Sequence, residues 1–393
     1  MKKFCDILVC GGGIAGVAAA LAAARRGKKV MLVEKQTIAG GLATSGLIYI
    51  YLPLSDDKNR IIAGGITEEL LIRAQDYGPF GLSEVWGGHP GADPGGDKER
   101  YYCCFSPAGY ALTLDKMLRD AGVEVWLDST VISAACDGRQ RIGKVEVFCG
   151  SERFEVEAEC FIDASGGAYL MRLAGAHFFT ERNFVTPWFI EYHRGKAREK
   201  EFYLSGDVFV GTAGSRKEQG SFASVAKADE LQEFIRCQYE SVREYFDRSA
   251  AGKDHYPLHL PAMPQTRKVA RIDGMAVIAD GGAGEYCPDS VGVAADWRKL
   301  PAPAWETPYG ALLSKTVRGA LAAGRCINSA GDAWEIFRVI PAAAMTGEAA
   351  GTAAALSCRM GIDPADLPVA LLQDELRKNG TILHITDGKS AAR

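Results

Sequence analysis

Glycines at positions 11, 13 and 16 stand between an apolar run, Asp6-Ile7-Leu8-Val9-Cys10, and an alanine-rich segment, after which Lys29-Val30-Met31-Leu32-Val33 leads to Glu34. Read as strand, turn, helix and second strand, this is G-x-G-x-x-G in the context that gives it chemical meaning. Gly11 makes the tight turn, Gly13 lets a pyrophosphate approach the backbone, and Gly16 lets helix and strand pack closely. With Gly12, Ile14 and Ala15 completing the turn, the helix start offers free N–H groups and a positive dipole end to phosphate. Glu34 is placed to accept from a ribose 2′-hydroxyl and would repel a 2′-phosphate. The spacing predicts an adenine dinucleotide without that phosphate, FAD or NAD.

Other reactive side chains are sparser. His193 closes the alternating segment Trp188-Phe189-Ile190-Glu191-Tyr192-His193, a strand on which it either serves as acid and base or is an ordinary structural histidine. His89 lies in a loop rich in glycine and proline, Gly78 to Gly96, where it could cap a site. Tyr49 and Tyr51 alternate and either line the ligand or pack. The eleven cysteines are odd in number and lack CxxC or Cys/His ligand spacing, which predicts reduced thiols and a cytoplasmic location. The adjacent Cys103-Cys104 could be redox-active or tether a flavin; otherwise the two are small core hydrophobes. No carboxylate pair and no metal cluster presents itself.

Positioning these groups requires a large fold. A chain of 393 residues predicts two joined domains. A net charge of −4 without a long run of one sign argues against nucleic acid or an anionic membrane as partner. Ile7 to Ala24 carries no charge, but the glycines within it and Glu34 after it fit the nucleotide turn and not a bilayer span, so neither membrane insertion nor secretion is expected. Further helices are predicted at Thr67 to Arg73, capped by the threonine, at Tyr110 to Ala121 with Gly122 closing it, around Ala228 to Arg248, from Pro341 to Leu356, and from Leu367 to Lys378. Strands are predicted at Val123 to Leu127 and Ser129 to Ile132, followed by a hairpin over Gly143 to Val156 and a short buried strand, Cys160 to Asp163, ending in a second glycine turn.

With these blocks in place the chain resembles the FAD-dependent oxidoreductases of the glutathione-reductase-like two-dinucleotide-fold type. The blocks are the Gly11 turn with Glu34-Lys35, Gly40-Gly41-Leu42-Ala43-Thr44-Ser45-Gly46, Ile62-Ala63-Gly64-Gly65-Ile66, Asp163-Ala164-Ser165-Gly166, Thr307-Pro308-Tyr309, Ala323-Gly324-Arg325-Cys326, Arg338-Val339-Ile340-Pro341 and Thr346 to Gly351. The later blocks select FAD over NAD. The resemblance implies an α/β fold: a Rossmann-like FAD-binding domain, parallel sheet with helices plus a β-meander, and an inserted mixed α+β substrate domain. Expected boundaries are 1–175 and 301–360 for the FAD-binding parts, 176–300 for the insertion and 361–393 for a C-terminal helix and tail.

Carried over by residue, the resemblance implies that Gly11, Gly13 and Gly16 hold the pyrophosphate and Glu34 the adenosine ribose, while Val131 meets adenine through its backbone. Gly41, Leu42, Ala43 and Thr44 would run along pyrophosphate and flavin, Ala164, Ser165 and Gly166 near the adenosine, and Gly324-Arg325 near the ribityl chain. Arg338, Val339, Ile340 and Pro341 would present N–H groups to the flavin N1–C2=O edge. Two departures stand out: Ser165-Gly166-Gly167-Ala168 lacks the acidic residue common after this glycine, and Gly331 replaces a frequent histidine, with Glu335-Ile336 in place of smaller residues.

Asp280-Gly281-Gly282-Ala283-Gly284 is no second fingerprint, since Pro288 follows too soon for a long helix. Without an NAD(P)H domain of the disulfide-reductase kind, electrons must pass to or from a diffusible partner. The expected reaction is hydride transfer between flavin N5 and a small organic substrate, with Tyr309, Arg338 and His193 as the candidate catalytic residues. Alternatives are a flavin monooxygenase and a non-enzymatic flavin-bound sensor or assembly protein. The sequence carries no signal for oligomeric state, direction of reaction or substrate identity.

Overall fold

The computed structural model describes residues 2–56, 58, 60–78, 102–195, 203–213, 216–249, 251–298 and 302–390. His89 and most of its glycine-rich loop therefore lie outside the described residues. Strands β1 (Lys2–Cys10), β2 (Val30–Val33), β3 (Glu124–Trp126), β4 (Ser129–Cys136), β5 (Ile142–Cys149), β6 (Glu152–Asp163) and β7 (Ala320–Ala322) form one sheet. Its order is β3-β2-β1-β6-β5-β4, with β7 also paired to β6. β1, β2, β3, β6 and β7 are parallel, whereas β4, β5 and the first half of β6 make an antiparallel meander. Registers Cys10↔Val33, Cys10↔Asp163 and Ala322↔Asp163 bring four carboxyl ends level, so the turns that follow them share one edge.

The predicted hairpin arm and buried strand are one element, β6. Its first half alternates in burial as a strand with one wetted face does, then Cys160, Phe161, Ile162 and Asp163 are all buried where helices cover both faces.

The α-helices of the described residues are α1 (Ile14–Ala24), α2 (Ile66–Arg73), α3 (Pro107–Asp120), α4 (Tyr169–Leu173), α5 (Ala228–Arg248), α6 (Asp332–Phe337), α7 (Ile340–Met360) and α8 (Val369–Lys378). The alanines of α1 leave little side-chain volume, so α7 approaches it closely: a Cβ on Gly347 would stand 2.2 Å from the Ala15 oxygen, and one on Gly351 2.1 Å from that of Ala19. Large side chains supply the packing elsewhere, with Leu8, Leu21, Phe161 and Phe337 fully buried, each contributing about 1.5–3 kcal/mol. No helix among the described residues is long and apolar enough to cross a membrane.

Two helix starts differ from expectation. α3 begins at Pro107, because Ser106 Oγ accepts from the Gly109 N–H at 3.2 Å. α2 is not capped by Thr67; it begins at Ile66, whose N–H donates to Glu348 Oε2 of α7 at 2.9 Å. The cap comes from across the fold, which no local pattern reveals.

Between the two stretches of nucleotide fold, strands Tyr203–Ser205, Val208–Thr212, Trp188–His193 and His255–His259 make an antiparallel sheet in that order. α5 lies on it through Phe189, Val242 and Phe246. The boundary expected at 300 falls inside a hairpin, since Ser290–Ala295 pairs with Ala304–Pro308.

Candidate functional site

The level strand ends open onto a solvent-accessible cleft of about 920 Å³. Gly11, Gly13, Ile14 and Ala15 form one wall, Glu34 and Lys35 follow β2, and Gly40, Gly41, Leu42 and Ala43 close the side. Ala164, Ser165 and Gly166 follow β6, Gly324 and Arg325 follow β7, Arg338 closes α6 and Ile340 opens α7.

Each glycine of the first turn has its own reason. Gly11 has a φ of +102°, and a Cβ there would lie 2.7 Å from the Ala164 oxygen; on Gly16 it would meet the Gly11 oxygen at 1.8 Å. Gly12 is pressed against the Glu34 side chain rather than the cleft. Gly13 differs from all three: its backbone is ordinary, and a Cβ would meet nothing within 4 Å. Nothing among the described residues requires glycine there, but a phosphate lying on the turn would. α1 also starts without a capping side chain or an acidic residue in its first turn, and so does α7. Both leave first-turn N–H groups for an anionic ligand at the cleft. These features fit a dinucleotide pyrophosphate.

Glu34 is the one acidic residue on the cleft wall among the described residues. It is 5% exposed; Oε2 accepts from the Gly12 N–H at 2.5 Å and Oε1 from the Gln36 N–H at 2.8 Å. Burial raises its carboxyl, and these two donors oppose the rise. The group is thus fixed in place and retains lone pairs for a ribose diol.

The Gly40 block is tied to the first turn by Gly40 N–H donating to the Gly12 oxygen at 2.7 Å. Thr44 is buried, with Oγ1 donating to the Ala39 oxygen at 2.7 Å; it holds the block and does not line the cleft. In the second glycine turn Asp163 supplies the ordering carboxylate. Oδ1 accepts from Ser165 N–H and Oγ–H at 3.0 and 2.6 Å, and Oδ2 from Met171 N–H at 2.9 Å. The acidic residue missing after Gly166 is therefore not needed to order that turn.

Arg325 packs over Gly166, where a Cβ would lie 2.4 Å from Nη2. Its partners among the described residues are the backbone oxygens of Thr266 and Arg267. Burial pushes its guanidinium down to about 10, and Arg338 nearby acts in the same direction. A half-buried cation whose described partners are carbonyl oxygens favours an anion beside it. Arg338 donates to Glu335 Oε2 from both Nε and Nη2 at 2.6 Å, and Glu335 also meets Lys268 at 3.3 Å. Burial raises the Glu335 carboxyl, but Arg338 and Lys268 outweigh it and leave it low. Gly331 carries a φ of +62° and a ψ of −131°, a backbone conformation in which a histidine would be strained.

Several expected residues are not brought to this cleft. Tyr309 is 2% exposed and its hydroxyl donates to the Pro364 oxygen at 2.8 Å. His193 sits on the inserted sheet against His255, ring centroids 4.6 Å apart. Val131 is buried on β4 and paired with Val147. Val339 and Pro341 instead line a separate small hollow with Met345. Tyr49 and Tyr51 are fully buried, Tyr51 donating to the Thr67 oxygen at 2.8 Å. Cys103 accepts from Gln75 Nε2 at 3.0 Å, and burial pushes its thiol up to about 12, away from thiolate chemistry.

The cleft also holds residues that the sequence reading did not single out: Tyr169 of α4, Leu231 of α5, and Met263, Pro264, Thr266 and Val269 from one irregular segment. Tyr169 follows directly on the second glycine turn, a signal that was available, and Lys35 Nζ lies 5.7 Å from its ring centroid. The Met263–Val269 segment has no periodicity to betray it.

A family model described as FAD dependent oxidoreductase matches residues 6–186 and 281–376, on either side of the inserted sheet and α5. No curated protein sequence matches the chain. Among solved structures the fold is similar to p-nitrophenol 4-monooxygenase PnpA from Pseudomonas putida DLL-E4, with 11% identity, a TM-score of 0.52 and coverage of 96% of this chain and 84% of that one. It is also similar to a geranylgeranyl bacteriochlorophyll reductase-like protein from Thermoplasma acidophilum, with 13% identity, a TM-score of 0.50 and coverage of 98% and 86%. At such identities the likeness is one of fold.

Proposed function

The chain belongs to the FAD dependent oxidoreductases, and from that premise we propose that it catalyses hydride transfer between flavin N5 and a small organic substrate, exchanging electrons with a diffusible partner. The observation that carries the reading is the convergence of two uncapped helix starts, α1 and α7, with Arg325 and Arg338 on one cleft that Gly13 keeps open. Bound FAD supplies the two-electron chemistry. The Gly11 turn and the start of α1 would hold the pyrophosphate, Glu34 the adenosine ribose, and Ala164 to Gly166 the neighbouring adenosine. Gly41, Leu42, Ala43 and Ile340 would line the place of the flavin.

Arg338 is the residue we assign to the flavin end. A guanidinium beside the first turn of α7 favours negative charge there, as reduction of the cofactor requires. Its pairing with Glu335 fixes its orientation. Tyr309 and His193 receive no contact with substrate in this reading.

The fold is shared by proteins named as a reductase-like protein and as a monooxygenase, so oxygenation is the second reading. Stopped-flow mixing separates the two. Anaerobic reduction of the bound flavin by an organic donor, or its reoxidation by an organic acceptor, supports hydride transfer. Oxygen consumption stoichiometric with a hydroxylated product would replace it by oxygenation.

A further inference from the structure

Ile235, Gln238, Tyr239 and Val242 share one face of α5 at helical spacing, and the irregular chain from Leu260 to Pro264 runs opposite. Between them is a second pocket of about 170 Å³, similar in size to an apolar cavity of about 150 Å³ that takes an aromatic ring. None of its described lining residues is charged. Gln238 is already committed, since Nε2 donates to Gln265 Oε1 at 3.2 Å and Oε1 accepts from the Gln265 N–H at 3.3 Å. Tyr239, 47% exposed, offers a hydroxyl at the rim.

This pocket is not isolated from the cofactor cleft. Met263 and Pro264 line both. The segment that carries them is bonded to the Gly40 block, Ala262 N–H donating to the Ser45 oxygen at 2.9 Å and Gln265 Nε2 to the Gly46 oxygen at 2.6 Å. The contrast between the compartments is chemical: cations and free N–H groups on one side of Met263, aliphatic side chains and prolines on the other.

We propose that this second pocket is the substrate compartment and that it takes an uncharged, predominantly apolar molecule of fused-ring size. A carboxylate or ammonium entering it would lose its hydration with no partner to replace it. An apolar ring instead gains contact with Ile235, Val242 and the polarisable Met263 sulfur. A single polar substituent can be met by the Tyr239 hydroxyl at the rim. In calling the occupant a substrate, this inference rests on the oxidoreductase reading above.

Titration calorimetry of the FAD-loaded protein with 2-naphthol and with 2-naphthoate, one ring system with and without a charge, tests the pocket without requiring turnover. We expect 2-naphthol to bind at least tenfold more tightly than 2-naphthoate and to perturb the visible flavin spectrum through the shared Met263 wall. Ile235→Trp and Ala262→Trp fill the pocket from its two sides at partly or fully exposed positions. Each is expected to weaken 2-naphthol at least tenfold while flavin content and melting temperature stay unchanged. Absence of 2-naphthol binding, equal or tighter binding of 2-naphthoate, or full affinity retained in both folded variants would overturn the proposal. Failure of the oxidoreductase reading has a separate signature, a bound flavin that no donor or acceptor turns over, and leaves the calorimetric result standing.

Discussion

Gln265 donates from Nε2 to the main-chain oxygen of Gly46 at 2.6 Å, a contact between residues 219 apart in sequence. The same side chain donates to the Trp188 oxygen at 3.0 Å, while Oε1 accepts from the Trp188 N–H at 2.8 Å and from Gln238 at 3.2 Å. One buried amide thereby fastens the first strand of the inserted sheet and α5 to the Gly40 block. Gln265→Met keeps the volume and leaves several buried polar groups unpaired, at about 1–3 kcal/mol each. Urea unfolding should show a loss of at least about 3 kcal/mol, and a loss below about 1 kcal/mol would mean that the clamp contributes nothing.

Gly13 and Gly16 should respond in opposite ways. Gly13→Val places its Cβ in open space, so the FAD-free protein should unfold within about 0.5 kcal/mol of the wild type while flavin binding is lost. Gly16→Ala drives a methyl into the Gly11 oxygen and should cost about 1–3 kcal/mol of stability before any ligand is considered. Retained flavin affinity in Gly13→Val would sink the assignment of this turn to the cofactor.

Glu34→Ala removes the expected ribose acceptor and leaves the Gly12 N–H unpaired. Flavin affinity should fall by roughly ten- to a hundredfold, corresponding to the loss of one or two hydrogen bonds to a charged group. Equilibrium dialysis of FAD against wild type and variant reads this directly, and unchanged retention would refute the role.

Much of this architecture was legible because it rests on local backbone demands. Gly11 needs its positive φ, Gly16 its close approach, and Asp163 ends a buried strand, each visible as a residue type at a fixed place. Local pattern does not say which way a polar side chain is satisfied. Tyr309 belongs to a block expected near the flavin, yet a buried carbonyl at Pro364 takes its hydroxyl. His193 ends the strand expected for it, but the sheet sets it against His255 and not on the cleft. The Met263–Val269 segment was invisible for a related reason: irregular chain is positioned by long-range bonds such as Gln265 to Gly46, and these leave no period in the sequence.

Arg338→Ala separates chemistry from cofactor retention. The variant deletes a cleft-facing charge but leaves Glu335 paired with Lys268, so the surrounding structure keeps a counter-ion. The rate of flavin reduction should fall about ten- to a thousandfold, the range for removing one electrostatic stabiliser, with FAD affinity changed far less. Equal losses in both would make Arg338 structural.

Glu348 gives the fold a pH dependence whose sign follows from its burial. It is fully buried on α7, accepts from the Ile66 N–H at 2.9 Å and from Asn379 Nδ2 at 3.3 Å, and burial pushes its carboxyl up to about 7 from an ordinary 4.5. Because the folded value lies above the unfolded one, its contribution is fully present below about pH 4.5 and is lost as the pH rises through about 7. Across that window the wild type should lose stability on the order of 3 kcal/mol from this group. Glu348→Gln has nothing to titrate and keeps an oxygen for Ile66. Its unfolding free energy, measured in urea at several pH values, should therefore improve relative to the wild type as the pH rises from about 5 to about 8. Parallel profiles would show that the carboxyl titrates normally and that the α2 cap is already ionised at the acid end of the window.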